Sequence, residues 1–422
     1  MRNRAEADPW RLCLGIALAF AALVWWRLGI PSKIMFDEVH YVPAARMLLA
    51  GRRANPEHPM VAKEAIALAI RLLGDAPWAW RVPSAVMGPV GLWAFARTLW
   101  LASGRRFATV AGTVLLAVDF TWFIQSRIAM LDMVMAAMAL VMLWQVMAAV
   151  RAGGVARARG HLAVAGLAMG LSLGAKWSAA PVLVLVPAVL AGMRLAHGER
   201  RGLPIRGVGL AELALWLGVL PLALYVASFW PIAHWRDSAV PLTHLISWHR
   251  YMMQLQDSVV KHHPYQSVWW QWAIDARPIW YLYEHVDGAQ RGVLLLGNPV
   301  AMLAGLPAAA WCLFHVQRWE RPAAAGLYVA TLGMWAVDGK PVQFYYHYLL
   351  PGVFLMACLA LALDALWHEA GHWGRAGWVR WLAPGTVAAS GAMFLWFFPI
   401  LAALPLAGPR GFEFWMWFGS WR

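Results

Sequence analysis

Apolar stretches long enough to cross a lipid bilayer recur along this chain from residue 12 to residue 405. A hydrocarbon core about 30 Å thick takes about 20 apolar residues as a helix, and lipid offers no partner to an unpaired backbone group. The runs are continuous rather than alternating, so they specify helices and not the short strands of a barrel. Windows at 12–30, 82–101, 107–124, 129–150, 161–174, 177–195, 208–229, 293–315, 323–337, 344–367 and 381–405 predict about eleven transmembrane helices. The composition, 61% hydrophobic and 13% charged, departs from the roughly 25% charged residues of soluble domains. An all-α polytopic membrane protein is expected, with one transmembrane domain over 1–422 and no separate soluble domain.

A net charge of +14 with an isoelectric point near 10.3 would point to nucleic acid in a soluble protein. Here the arginines cluster in short connectors: Arg2, Arg4 and Arg11; Arg105 and Arg106; Arg151, Arg157 and Arg159; Arg194, Arg200, Arg201 and Arg206; Arg318 and Arg321; Arg375 and Arg380. With the predicted helices all of them fall on one side, which the positive-inside rule makes cytoplasmic. The charge therefore reads as topology, and nucleic acid is not an expected partner. The opening "MRNRAEADPWRLCLGIALAF" has no small-residue cleavage site before the apolar run continues to Ile30, so it reads as an uncleaved signal anchor with a cytoplasmic N-terminus. The expected location is the inner (plasma) membrane, crossed many times. Cys13, Cys312 and Cys358 lie in apolar runs without ligand spacing, which argues against a disulfide framework or a thiolate metal site.

The opposite, extracytoplasmic side receives two long loops, 31–81 and 230–292, and short connectors at 125–128, 175–176 and 338–343. Apolar residues at helical spacing, such as Met47, Leu48, Ile66, Ile70 and Leu73, predict interfacial helices within the loops. All five lysines, Lys33, Lys63, Lys176, Lys261 and Lys340, fall on this side, where the topology rule gives no reason for them. Asp37 and Glu38 lie at the outer mouth of the first span, where charge near hydrocarbon costs up to about 2.5–3.5 kcal/mol at the bilayer centre. Alone they read equally as solvated interfacial carboxylates. His58 and Lys63 in the same loop, Arg127 and Asp132 at the end of a span, Lys176 and Trp177 in a tight connector, and His347 and Tyr348 at the start of a late span converge on that face.

In combination and order these stretches resemble the dolichyl-phosphate-mannose protein O-mannosyltransferases of the GT-C superfamily. The matching segments are "FDEVHY", "HPMVAKE", "SRIAMLD", "AKWSA", "HPYQSVWW" and "YYHYLLP", over roughly residues 30–355. Met60 stands where the family has a second proline, Ala62 where glycine is usual, and an extra leucine, Leu349 with Leu350, separates the His-Tyr from Pro351. The resemblance implies a compact prokaryotic type without the lumenal MIR domain. It also implies a GT-C transmembrane fold, a polyprenyl-phosphate-mannose donor, and secreted or membrane proteins as acceptors, with the protein-export machinery as a further partner. No cofactor is required on this reading and a divalent metal is not expected. The adjacent His262 and His263 lack the helical spacing that aims two rings at one ion.

The chemistry explains the residue types. Transfer of a sugar to a Ser/Thr hydroxyl needs a base for the hydroxyl proton and cations for the departing lipid phosphate. Asp37, matching the first acid of the family's pair, is expected to be the general base of an inverting transfer, with Glu38 orienting the acceptor or holding a nearby arginine. Arg127, Lys176, His347 and Tyr348 are expected on the phosphate and sugar, supported by His58, Lys63, Asp132 and Trp177. Three of them have a plainer alternative: Lys176 snorkelling from a short span, Arg127 bridging to Asp132, and His347 as a buried hydrogen-bonded histidine. Trp248, Trp269, Trp270, Trp272 and Trp280 read as an interfacial belt before a sugar-stacking platform. Rival functions are a GT-C transferase acting on lipid or glycan, of the aminoarabinose-transferase kind, and a lipid-linked sugar transporter. A transporter would gather its polar groups near the midplane.

Overall fold

The computed structural model of the protein describes residues 6–197, 204–258, 260–369 and 377–422. The chain runs α1 (Trp10–Trp25), α2 (Glu38–Leu49), α3 (Val61–Leu73), α4 (Pro77–Ser103), α5 (Arg106–Ala117), α6 (Phe120–Gln125), α7 (Asp132–Val150), α8 (Val155–Ala175) and α9 (Ala180–His197). There follow α10 (Leu210–Ala214), a π-helical turn (Leu215–Val219) and α11 (Leu220–Ala227). The second long loop carries α12 (Leu245–Asp257), α13 (Trp269–Ala273) and the strands β1 (Ile279–Val286) and β2 (Ala289–Leu295). Helices α14 (Pro299–Phe314), α15 (Glu320–Val337), α16 (Leu349–Glu369) and α17 (Leu382–Leu401) come last.

Among the described residues six helical stretches are long and apolar enough to cross a membrane, and α1, α5 and α14 are shorter apolar helices. The predicted windows at 161–174 and 323–337 fall inside α8 and α15. The window at 107–124 is broken: Val118 leaves the helical conformation and Asp119 starts α6 by accepting the Trp122 N–H at 2.8 Å. A helix apolar on every face must be surrounded, and α16 meets that condition with 89% of its apolar window buried inside the protein, packed by α5, α14, α15 and α17. Helix α7 is the other central helix, held between α4 and α8.

Close approach in the bundle depends on small residues. Gly166, Gly170 and Gly174 recur every four residues along one face of α8, toward α11 and the turn before it. A Cβ on Gly166 would lie 2.1 Å from the Trp216 carbonyl oxygen, and one on Gly170 would lie 2.9 Å from the Pro221 carbonyl oxygen.

The expectation of an all-α protein needs correction. Strands β1 and β2 form an antiparallel hairpin, and the window at 293–315 begins in β2. Asp287 and Gly288 turn the chain with positive φ at both positions, 51° and 73°, as a two-residue hairpin requires. The hairpin is tied to the first loop: Asp287 accepts from the Ser32 backbone N–H at 2.9 Å and from its hydroxyl, and Lys33 pairs with Glu284 at 2.6 Å. The tryptophan belt is corrected too. Trp248, Trp272 and Trp280 are buried, while Trp269 and Trp270 are exposed.

One end of the bundle is a network of arginines and acids. Arg97 pairs with Asp8, Arg105 with Glu6 and Asp364, Arg318 with Glu320, and Arg321 with Glu369. The Arg318 guanidinium also reaches the Ser103 carbonyl, and that of Arg151 the Leu101 carbonyl. Arg2, Arg4, Arg200, Arg201 and Arg375 lie outside the described residues.

Candidate active site

At the other end, the segment between α1 and α2 is built around a buried ion pair. Arg81, in the first turns of α4, meets Glu38 through two nitrogens at 2.8 and 2.9 Å, both side chains being fully buried. Arg81 also donates to the carbonyls of Leu28, Pro31 and Lys33 at 3.0, 2.7 and 3.2 Å. Glu38 accepts in addition from the backbone N–H groups of Met35 and Ala129 at 3.0 and 2.9 Å. Of its two expected roles Glu38 therefore takes the second: it holds an arginine and presents no oxygen to open space. Every charge and lone pair in this cluster is answered, as a buried pair requires.

Phe36 precedes the acid pair with φ of 47°, a left-handed conformation that a bulky residue adopts only when its surroundings impose it. An aromatic box does so. The Phe36 ring stacks on Tyr281 of β1 with centroids 4.5 Å apart, and meets Phe344 and Tyr346 edge-on at 5.9 and 5.8 Å. Glu38 on one side and the clamped Phe36 on the other fix Asp37 at the start of α2.

Asp37 is half-buried, and its carboxylate makes no hydrogen bond or ion pair among the described residues. Burial pushes its carboxyl up to about 6, against the pull of Lys176 and His40; Asp132 adds to the rise and Lys340 opposes it. Asp132, at the start of α7, takes the Lys176 ammonium on both oxygens at 2.8 and 3.0 Å. Lys176 ends α8 in extended backbone and sits 4.7 Å from the Tyr346 ring centroid. His347 stacks on Trp335 at 3.9 Å, and its Nδ1 accepts the Phe344 N–H at 3.1 Å. That bond places the ring proton on Nε2, which is buried without a partner among the described residues, and His347 and Asp132 line one small cavity.

The structure thus brings Asp37, Asp132, Lys176 and His347 to one region and sets other expected residues around it. His58 is buried; burial and then the Lys176 and Lys340 charges push its imidazole well below the ordinary value, so it is neutral. Lys63 is fully buried and donates to the Asn55 and His58 carbonyls at 2.5 and 2.6 Å, folding the loop between α2 and α3. Burial lowers its ammonium to about 7. Trp177 donates to the Tyr225 hydroxyl at 2.9 Å, which in turn meets His249 of α12 at 2.6 Å.

Two expected contacts need correction. Arg127 neither faces the pocket nor bridges to Asp132: its guanidinium donates to the carbonyls of Leu23, Val24, Trp26 and Arg27 at 2.6–3.3 Å, closing the C-terminal end of α1. Free helix-end carbonyls carry partial negative charge, so a cation there is satisfied without a phosphate. Tyr348 is buried between α15 and α16, its hydroxyl 3.1 Å from that of Tyr328. Sequence reasoning did not single out Arg81, the Phe36 box or Lys340. Among the described residues no three His, Cys, Asp or Glu side chains gather as a metal-like cluster.

A helical bundle with this architecture belongs to the polytopic glycosyltransferases of the GT-C type. It matches a chain of the S. cerevisiae protein O-mannosyltransferase Pmt1-Pmt2 complex bound to the sugar donor with a TM-score of 0.77 and 13% identity, covering 99% of this chain and 93% of that one. It matches ArnT from Cupriavidus metallidurans bound to undecaprenyl phosphate with a TM-score of 0.61 and 16% identity, covering 94% and 77%. Residues 76–235 match the family model for dolichyl-phosphate-mannose-protein mannosyltransferase, and residues 241–331 that for the C-terminal four-transmembrane region of protein O-mannosyltransferase. The chain belongs to the protein O-mannosyltransferase family. Among its relatives, the polyprenol-phosphate-mannose–protein mannosyltransferase of Mycolicibacterium smegmatis is 28% identical over 99% of this chain and 94% of its own length. That of Mycobacterium tuberculosis is 26% identical over 92% and 86%.

Proposed function

We propose that this enzyme transfers mannose from polyprenyl-phosphate mannose to Ser/Thr hydroxyls of translocated proteins, with inversion and with Asp37 as general base. The observation that carries the reading is the unpaired Asp37 carboxylate beside the Lys176–Asp132 pair, in a chain whose relatives are named for this donor and for protein acceptors. The acceptor hydroxyl gives its proton to Asp37 as its oxygen bonds the anomeric carbon from the face opposite the phosphate. The bond from that carbon to the phosphate oxygen breaks with its electron pair, and the lipid phosphate leaves. No step draws on a metal ion. Burial of the carboxyl suits it to the task, because a base with a value near neutral is both ionised and basic at working pH.

The arginine-rich end of the bundle faces the cytoplasm on this reading, with the N-terminus there. About eleven helical passes then cross the plasma membrane, and Asp37 opens to the extracytoplasmic side, where acceptors leave the export machinery. The test is transfer from labelled polyprenyl-phosphate mannose by the purified protein in nanodiscs, offered a Ser/Thr-rich peptide and bilayer lipid together. Label in the peptide supports the reading. Label in lipid alone would make the enzyme a lipid-modifying transferase of the aminoarabinose-transferase kind, and donor movement across the bilayer without transfer would make it a transporter.

A further inference from the structure

After α17 the chain runs back along the hairpin. The Leu406 N–H donates to the Gln290 carbonyl at 2.9 Å, the Tyr283 hydroxyl to the Pro409 carbonyl at 2.5 Å, and Arg291 to the Ala403 carbonyl at 2.8 Å. The same segment then reaches the second long loop. Arg277 donates to the Ser420 carbonyl at 2.7 Å, and the buried Trp421 donates its indole N–H to the Asp275 carbonyl at 2.6 Å. Asp275 has a left-handed backbone with φ of 52°, which Asp tolerates better than most residues but which its surroundings must still hold. Its buried carboxylate accepts the Gly297 N–H at 2.8 Å and the Tyr345 hydroxyl, which also lies 3.1 Å from the Trp272 carbonyl oxygen. Tyr345 opens the turn Tyr345–Tyr348, which carries Tyr346, 4.7 Å from Lys176, and His347. The His347 ring meets Trp335 at 3.9 Å and Trp272 at 5.7 Å between centroids.

We infer that Trp421 is a positioning residue for the reaction proposed above, on which this inference rests, and that it acts through Asp275 and Tyr345 on the turn carrying His347. The indole N–H is the donor to the buried Asp275 carbonyl among the described residues. Without it, that oxygen must recruit water or move toward another donor, because a buried carbonyl is rarely left unpaired. Either response rotates the peptide on which the left-handed conformation depends, and the carboxylate of the same residue swings with it. Tyr345 then loses its acceptor, and its turn is free to shift. His347 lines the small cavity with Asp132, and its Nε2–H has no protein partner among the described residues. On the proposed reaction that N–H is offered to an oxygen of the donor, so a displaced turn weakens donor binding without touching the acceptor.

The experiment measures binding of polyprenyl-phosphate mannose, and its transfer to peptide, by the full-length protein in nanodiscs. The proteins compared are wild type, Trp421→Phe, Tyr345→Phe, His347→Ala and the double variant of Trp421→Phe with His347→Ala. Trp421→Phe keeps a ring and removes only the N–H donor. The control is Trp417→Phe, whose ring stacks on Trp421 at 5.8 Å and donates nothing to Asp275. A positioning contact of one hydrogen bond corresponds to about 3- to 10-fold in binding. Trp421→Phe and Tyr345→Phe should each weaken donor binding by that factor and leave the KM for peptide unchanged, while Trp417→Phe matches wild type. In the His347→Ala background Trp421→Phe should have no further effect, because the turn no longer carries the group it positions. A merely structural role would give the same loss in both backgrounds and would move peptide KM together with thermal stability. Donor binding by Trp421→Phe equal to wild type overturns the inference, as does an undiminished loss in the His347→Ala background. Wild type that binds donor and transfers no mannose to peptide sinks the functional reading alone, and the binding comparison still decides the role of Trp421.

Discussion

Replacing Asp37 by asparagine should inactivate the enzyme and stabilise it. Burial raises this carboxyl from 3.8 to about 6 even with Lys176, His40 and Lys340 nearby, so the folded protein prefers the neutral form. That rise corresponds to about 3 kcal/mol against the ionised form, and water reaching the half-buried side chain screens this to about 1–2 kcal/mol. The sign follows from linkage. A carboxyl whose folded value is raised contributes stability that is fully present below about pH 4 and is lost as pH rises through about 6. Asparagine keeps the neutral shape at every pH. Thermal unfolding in nanodiscs should therefore show Asp37→Asn more stable than wild type at about pH 7.5 and level with it at about pH 4. In the transfer assay wild-type activity should climb through about pH 6 as the base ionises, while the variant binds donor without turning it over. Near-normal turnover by Asp37→Asn, or a stability difference that does not change with pH, would refute the reasoning.

Three further substitutions probe the frame around that carboxylate. Arg81→Met leaves the fully buried Glu38 uncompensated and should cost about 3–5 kcal/mol; adding Glu38→Leu should recover part of the loss, which a double-mutant cycle in unfolding measurements would register. Arg127→Met frees the α1 carbonyls and should lower stability by about 2–3 kcal/mol, with the KM for donor unchanged in the transfer assay. Gly166→Ala forces α8 away from the Trp216 carbonyl and should cost at least about 1–3 kcal/mol, seen as a lower unfolding temperature and a higher yield of aggregate on extraction.

The transmembrane windows were legible because lipid demands continuous apolar runs, and nearly all of them lie on helices. The hairpin was not, because "VLLLGNPVAML" passes from β2 into α14 as one apolar run, and periodicity alone does not separate a buried strand from a buried helix. The Asp287-Gly288 pair was the available signal. At the site, the grouping of acids and lysines on one face could be read from charge and topology. What each cation holds could not: Arg127 looks the same in sequence whether its fork meets a phosphate or a helix end, and the partner of Glu38 lies 43 residues away. The glycine stripe on α8 was present as "GLAMGLSLG", but spacing of small residues alone does not say which carbonyl will approach.

The grip of Arg127 on the end of α1 also fixes where the chain goes next. Four carbonyls from Leu23 to Arg27 are gathered on one guanidinium, and those of Leu28, Pro31 and Lys33 on another, so the stretch between α1 and α2 is strung between two arginines contributed by later parts of the chain. Asp37 thus owes its position to residues 44 and 90 places downstream, and on the function proposed above its half-buried carboxylate is open to a hydroxyl on an extended segment and closed to one held inside a folded domain.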